Sequence, residues 1–203
     1  MVYRSIQQAR RELFDIAATQ GGYFTAKQAA AAGYGKRHLD YHVKVGNFDR
    51  VERGLFRLPM VGPVEHEDLI RLSLWSRGRD DQAQAVASHQ TALSVHGLGD
   101  LLPSRTHLTV PRSFRKKPPA GCVLHKAQLA DHETEQREGF RVTTPLRTLL
   151  DTAEDQGVTQ DQFNEIVQQA ITEGIVRRTK LAQAARKRPE DKRLSSALAA
   201  IER

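Results

Sequence analysis

Between Thr25 and Leu58, two helix signals and two strand signals follow one another with almost no spare chain, and that order limits the possible folds more than any other feature. Thr25 and Gln28 stand at the spacing of a capping box: the Thr hydroxyl accepts from a first-turn N–H, and the Gln side chain reaches back to the Thr25 N–H. Ala26, Ala29, Ala30, Ala31 and Ala32 give the helix that follows high propensity and a slim profile, and Gly33 stops it. In the next segment, residues 36–45, Leu39 and Val43 form an inward stripe four residues apart. Lys36, Arg37, Asp40, Tyr41 and Lys44 fall largely on the other side. Gly46 ends this second helix, and residues 48–52 and 55–58 read as strands around an Arg53-Gly54 turn. Helix, turn, basic helix and hairpin in that order predict a winged helix-turn-helix.

The pattern points to duplex DNA. A basic helix sized for a major groove, beside a basic hairpin, provides phosphate contacts and side chains able to reach base edges. Arg37 is the first choice for a base contact, and Tyr41 is placed to touch a sugar or a thymine methyl. Lys36, Lys44, Arg50, Arg53 and Arg57 are expected at phosphates, because they flank the helix or sit on the hairpin. Hairpin alternation predicts Val51, Phe56 and Leu58 toward the core, with Arg50, Arg53 and Arg57 in water. The alternative is an interaction protein that does not bind DNA, whose architectural winged helix presents a solvated charged face and whose middle binds a partner enzyme.

Charge is unevenly spread along the 203 residues. Residues 1–62 carry ten Lys/Arg against five Asp/Glu, residues 63–174 twelve against sixteen, and residues 175–203 nine against three. Two basic ends bracket a mildly acidic middle, which favours a polyanion as one partner and a different partner for the middle. A second polyanion surface, or one for an acidic groove of a protein partner, is expected at Arg177, Arg178, Lys180, Arg186 and Lys187. No signal peptide or membrane-spanning run is visible, so the chain reads as cytoplasmic, with no membrane partner. The charge pattern marks no oligomer interface.

Gly62-Pro63 punctuates the chain strongly enough to place a domain boundary near residue 62. Residues 4–18, with Ile6, Leu13 and Ile16 at near-helical spacing, are expected to form a helix beneath the capped one. Beyond the boundary, residues 66–77 read as a helix with Leu69, Leu72 and Trp75 on its buried side. Residues 88–97 read as another, opened by a Ser88 cap. Residues 106–110, 122–126 and 139–143 read as strands, with the basic loop 112–117 between the first two. Thr144-Pro145 opens a helix with Leu146, Leu149 and Leu150 inward, and Thr159 with Gln162 forms a second capping box. That box starts a helix with Phe163, Ile166, Val167 and Ala170 on its apolar stripe. Residues 177–185 continue as a helix, and Pro189 begins the last, whose Leu194, Leu198 and Ile201 require a partner surface. The predicted class is therefore α+β: a winged helix-turn-helix over residues 1–62, then a domain over 63–203, mixed α/β to about 151 and helical over 152–203.

Enzyme chemistry is poorly supported. Cys122 and His125, followed by Asp131-His132-Glu133, contain metal-ligand types without a second ligand pair at defined spacing, and a solvated loop is the preferred reading. Cys122 alone makes no internal disulfide and reads as a small core residue. His89 and His96, seven apart, are assigned to hydrogen bonds with backbone carbonyls where helix meets sheet. Ser88 and His89, as adjacent helical residues, are expected to face apart, which argues against a nucleophile–base pair. Gly97-Leu98-Gly99 lacks the strand–turn–helix setting of a nucleotide fingerprint. No catalytic residue, metal or cofactor is expected.

Three motifs of the winged segment carry a family resemblance: Gly21-Gly22-Tyr23-Phe24-Thr25-Ala26-x-Gln28-Ala29, Leu39-x-Tyr41-His42-Val43, and Arg50-Val51-x-Arg53-Gly54-Leu55-Phe56-Arg57-Leu58-Pro59. Further motifs are Ser88-His89-x-Thr91-Ala92-Leu93-x-x-His96-Gly97-Leu98, His107-Leu108-Thr109-Val110-Pro111, and Val142-Thr143-Thr144-Pro145-Leu146-Arg147-Thr148-Leu149-Leu150-Asp151. Over about residues 20–151 the chain resembles the AbiE-type (AbiEi) abortive-infection antitoxins of type IV toxin–antitoxin pairs. The resemblance implies a phage-defence protein that represses its own operon by binding promoter repeats and neutralises a co-encoded nucleotidyltransferase-like toxin. It also implies that the winged helix reads DNA and the following domain carries antitoxicity. Some related chains end in a nuclease-like domain; here the chain after Asp151 turns helical and has no spaced Asp/Glu-x-Lys metal site.

Overall fold

A computed structural model describes residues 6–101 and 103–201. The predicted α+β class is observed: helices and short strands alternate first, and helices alone close the chain. Two compact units divide it: the described residues through Ala83 with Arg137–Phe140, and Gln84–Gln136 with the described residues from Arg141 onward.

The first unit opens with α1 (Ile6–Ala18), which buries Leu13 and Ala17. Ile6, expected on that buried stripe, is 87% exposed; Ala9 replaces it as the packed residue, one turn before Leu13. Positions 4 and 5 of the predicted helix lie outside the described residues. A turn at Gly21-Gly22 leads to β1 (Tyr23–Thr25), a strand whose three residues are too few to show an alternation. Both glycines have positive φ, and a Cβ on Gly22 would lie 2.8 Å from Val61, so the turn needs both the backbone freedom and the missing side chain.

The capping box at Thr25 forms as predicted, with Gln28 N–H donating to the Thr hydroxyl and Thr25 N–H to the Gln28 side chain. It starts α2 (Ala26–Ala31), and α3 (Lys36–Lys44) follows after the turn through Gly33. The hairpin β2 (Asp49–Glu52) and β3 (Leu55–Arg57) joins β1 in an antiparallel sheet of order β1-β3-β2. The register slips at Val51, a bulge that leaves this residue only half-buried.

Phe24 is the centre of the core, stacked on Phe56 and edge-on to Phe48, with Leu13, Ala29 and Leu39 around it. Edge-to-face and offset pairs of this kind add to the gain from apolar burial. The helix α4 (Glu67–Ser76) belongs to the same unit, although the Gly62-Pro63 punctuation precedes it. Its buried residues are Leu69, Ile70, Ser73, Leu74 and Ser76; Leu72 and Trp75, predicted inward, are only partly buried. The apolar stripe runs at i, i+1, i+4 and i+5, and the predicted i, i+3, i+6 stripe is rotated away from it.

The second unit holds a five-stranded mixed sheet of order β6-β5-β4-β8-β7. β5 (Thr106–Val110) and β6 (Cys122–Lys126) have the predicted ends and pair in parallel. β8 (Arg141–Thr143) is shorter than the predicted strand 139–143, because Gly139 and Phe140 form the turn from its antiparallel partner β7 (Thr134–Gln136). The central strand, β4 (Val86–Ala87), has two residues and pairs antiparallel to β5 and parallel to β8.

Over this sheet run α5 (His89–Val95) and α6 (Pro145–Ala153), the latter capped by Thr144 with Pro145 in its first turn. α7 (Gln160–Thr172) begins at the Thr159/Gln162 capping box and buries Phe163, Ile166, Val167 and Ala170 as predicted. α8 (Arg178–Arg186) and α9 (Lys192–Ala200) complete the unit. Asp191, rather than Pro189, opens α9, its carboxylate accepting from the Leu194 N–H. One apolar cluster joins Leu93 and Leu98 to Leu149 of α6, Phe163 and Ile166 of α7, Leu181 of α8 and Leu194 of α9. The partner surface that the last helix requires is thus internal, and Leu198 and Ile201 pack against the same cluster.

Candidate nucleic-acid interface

α3 packs on its own unit through Leu39, which is 5% exposed, with Val43 partly buried beside it. Lys36, Arg37, Asp40, Tyr41 and Lys44 are exposed, Tyr41 at 60%. With about 100° of rotation per residue, Arg37, Asp40, Tyr41 and Lys44 fall on one arc facing away from Leu39, and Lys36 flanks it. Lys36, Arg37 and Lys44 make no hydrogen bond or ion pair with the described residues, so their charges are uncommitted. Gly35 precedes the helix without a side-chain cap, which leaves the first-turn N–H groups open to an anion. Sequence reasoning did not select Gly35 or the exposed His38; a glycine at an N-cap is the only signal for the first.

The wing carries three arginines in three different states. Arg53 sits exposed in the hairpin turn, with Gly54 at φ 79° supplying the conformation the turn needs. Arg50 is half-exposed, bonds Asp40 of α3 at 2.6 Å and lies over the Phe56 ring at 5.4 Å. It ties the wing to the helix and is available to a phosphate only by leaving Asp40. Arg57, expected in water, is largely turned inward. Its guanidinium donates to the Val61 and Gly62 carbonyls, pairs with Glu67 at 3.3 Å and covers the Tyr23 ring. The physical reason lies beyond the hairpin: residues 61–62 and Glu67 of α4 come over the Arg57 side of β3, which is then covered rather than solvated. The Glu67 carboxylate also accepts from the Tyr23 hydroxyl, and burial together with that carboxylate holds the phenol above its ordinary pKa.

The C-terminal basic residues Arg177, Arg178, Lys180, Arg186 and Lys187 are all exposed. Arg178 and Arg186 line a groove with Leu198 and Ala199, whereas Lys180 and Lys187 do not, so the five make no single stripe. Arg177, Arg178 and Lys180 crowd the start of α8, where the helix dipole disfavours cations.

The histidines form an arrangement that the sequence did not reveal. His96 Nε2 donates to the Thr143 carbonyl, 2.7 Å away, as expected. His89 does not: its ring stacks on His125 with centroids 3.6 Å apart, and His125 Nε2 lies 3.1 Å from His107 Nδ1. Ser88 provides no side-chain cap to α5. Its hydroxyl accepts from Thr109 and lies 3.0 Å from His89 Nδ1, so Ser88 and His89 face each other after all. The expectation fails because Ser88 is extended and His89 is left-handed at φ 52°; neither is in a helical pair. Burial, then the neighbouring His125 and His107, pushes His89 down to about 3. Burial also holds His107 and His125 below their ordinary range.

Cys122 is buried at the start of β6, and Glu133 is held by the Ala130 N–H and by Arg147. Among the described residues, no three His, Cys, Asp or Glu side chains are grouped to hold a metal ion. Asp151, on α6, is 5% exposed and ion-paired to Arg147; burial nevertheless raises its pKa to about 6, and its Oδ2 has no partner among the described residues. No described helix is long and apolar enough to cross a membrane.

Comparison with known proteins bears on the winged unit most directly. Residues 11–59 match a family model described as a transcriptional regulator, AbiEi antitoxin. Among solved structures, the chain is similar to the RV2827C protein of Mycobacterium tuberculosis, at 15% identity and TM-score 0.44, over 97% of this chain and 82% of that one. No curated protein matches. The segment that carries α2, α3 and the wing thus bears the signature of the AbiEi antitoxin transcriptional regulators.

Proposed function

We propose that this protein is a type IV antitoxin that binds repeats in its own promoter, represses its operon and neutralises a co-encoded nucleotidyltransferase-like toxin. The observation that carries the DNA-binding half is the set of uncommitted cations on one small module: Lys36, Arg37 and Lys44 along α3, and Arg53 at the wing tip. Nine residues of α3 span about 13 Å, a length that fits a major groove roughly 12 Å wide. In this reading Arg37 and Tyr41 reach base edges, Lys36 and Lys44 meet the flanking phosphates, and Arg53 brings the hairpin to the backbone. Arg50 adds a phosphate contact once it exchanges Asp40 for DNA, whereas Arg57 keeps the wing in place and touches no nucleic acid.

The likeness of residues 11–59 to the AbiEi antitoxin regulators supports the antitoxin half, which we assign to the second unit, with the exposed arginines of α8 as one candidate toxin surface. The test is a titration of the protein against DNA from its own upstream region at several salt concentrations. Four phosphate contacts give a slope of log K against log salt of about −3.6. A duplex that fails to shift at low salt refutes the DNA reading and leaves a protein that binds a partner enzyme. Co-expression with the neighbouring reading frame tests neutralisation separately, by growth.

A further inference from the structure

Among the described residues five large apolar side chains are strongly exposed, and three of them, Ile6, Phe14 and Met60, border one groove of the first unit. The groove encloses about 720 Å³, within the roughly 300–1,000 Å³ usual for small-molecule sites. One wall is the outer face of α1; the others are the end of α3 with its connection to β2, and the segment after β3. The aromatic rings of Phe14, Tyr34 and Phe48 give it an apolar body. On the α1 wall, Arg10 and Arg11 are exposed and make no hydrogen bond or ion pair with the described residues, and no carboxylate of the described residues lines the groove. His42 also lines it, its Nδ1 lying 2.9 Å from the Asn47 amide nitrogen. An amide N–H can only donate, so the neutral ring accepts there and carries its proton on Nε2. Burial, with the fields of His38 and Arg10, holds the pKa of that ring below its ordinary value.

We propose that this groove binds a small amphipathic carboxylate, its aryl or medium-chain body against Phe14, Tyr34 and Phe48 and its head group between Arg10 and Arg11. Two adjacent cations beside an aromatic floor, with no carboxylate among the described lining residues, are complementary to that chemistry, and the three-walled shape suits a small molecule better than an extended chain. Because His42 and Asn47 belong to the end of α3 and the approach to the wing, occupancy also bears on how α3 is held against β2. That consequence, unlike the site itself, rests on the DNA-binding reading.

Calorimetry on the full chain with 2-naphthoate, and with 2-naphthalenemethanol as the neutral match, tests the site without DNA. One saturable naphthoate site is expected, with binding about tenfold weaker for the alcohol and for an Arg10→Gln/Arg11→Gln double variant. Both arginines are exposed, so the double variant keeps the fold, which circular dichroism checks. Absence of saturable binding by either naphthoate or decanoate overturns the proposal, as does naphthoate binding that is indifferent to the loss of both guanidiniums. So does sedimentation showing a dimer that Phe14→Glu dissociates, since a second copy then covers the groove. Naphthoate binding with no effect on a DNA shift upholds the site and separates it from the function proposed above.

Discussion

Replacing His89 by Asn tests the histidine stack in a way that other titrating groups do not blur. Asn tolerates the left-handed backbone that His89 adopts, so the substitution removes the imidazole without forcing the turn. The folded pKa of about 3 lies below the unfolded value of about 6.5. The stability that follows from this difference is complete above pH 6.5 and is lost as the pH falls toward 3. At pH 5 the unfolded imidazole is almost fully protonated while the folded one is not, which costs the fold about 2 kcal/mol. Asp151 acts in the opposite sense. Its folded pKa of about 6 is above the ordinary 3.8, so it recovers stability as the pH falls from above 6 toward 4. The useful quantity is therefore a difference between two proteins: urea unfolding at pH 7.5 and pH 5, followed by far-ultraviolet circular dichroism, for the parent and for His89→Asn. The parent should lose about 2 kcal/mol more than the variant on acidification. A gap smaller than about 0.5 kcal/mol refutes the picture of a neutral ring shielded between His125 and Ser88.

Four further outcomes follow from the same geometry. Arg37→Ala should flatten discrimination between promoter and scrambled duplexes, while Lys44→Ala should weaken both alike and reduce the salt slope by about 0.9; anisotropy titrations read both, and equal effects of the two changes contradict the assigned roles. Arg57→Ala should cost about 1–3 kcal/mol in urea unfolding, because it leaves Glu67 unpaired and uncovers Tyr23; a loss of DNA affinity with unchanged stability contradicts its inward role. Leu194→Ala, at a side chain with no exposure, should cost about 2–5 kcal/mol, and a cost below about 1 kcal/mol means that α9 is not part of the core. Thr25→Ala should cost about 1 kcal/mol in urea unfolding through the lost cap, whereas Thr25→Ser, which keeps the accepting oxygen, should cost less; equal costs contradict the cap.

The elements that were legible in the chain are those whose cause is local. Thr25 with Gln28, Thr159 with Gln162, and Thr144 with Pro145 each declare a helix start through their own side chains, and all three caps form. Strands 106–110 and 122–126 are long enough to show their β-rich composition. β4 is not: two residues have no period, and its place at the centre of the sheet comes from neighbours far away in sequence. Arg57 was misplaced for a related reason. Its hairpin gives a water-facing position, but residues 61–62 and Glu67, which follow the hairpin, cover that face and remove the water. The Ser88–His89 contact depends on a left-handed residue that is not glycine, for which a sequence gives no local sign. Ile6 fits a helical period and still faces out, since period alone does not say which neighbour fills the stripe. Within the candidate interface the cations of α3 were readable, because the apolar pair Leu39 and Val43 orients the helix. The Asp40–Arg50 tie needed the hairpin's position as well.

The long apolar cluster that links α5 and α6 to α7, α8 and α9 also orders events during synthesis. Contacts of the winged module close over short stretches, from Leu13 to Leu58, so most of its interior is available soon after residue 60 has been made. The interior of the other unit is completed far later, because the cluster that begins at Leu93 also includes Leu194, which emerges about a hundred residues later. A nascent chain therefore spends a long interval with its amino-terminal module formed and its carboxy-terminal helices missing. Premature termination in that interval leaves the first module attached to a greasy, unfinished remainder, a product fit for rapid clearance by proteases.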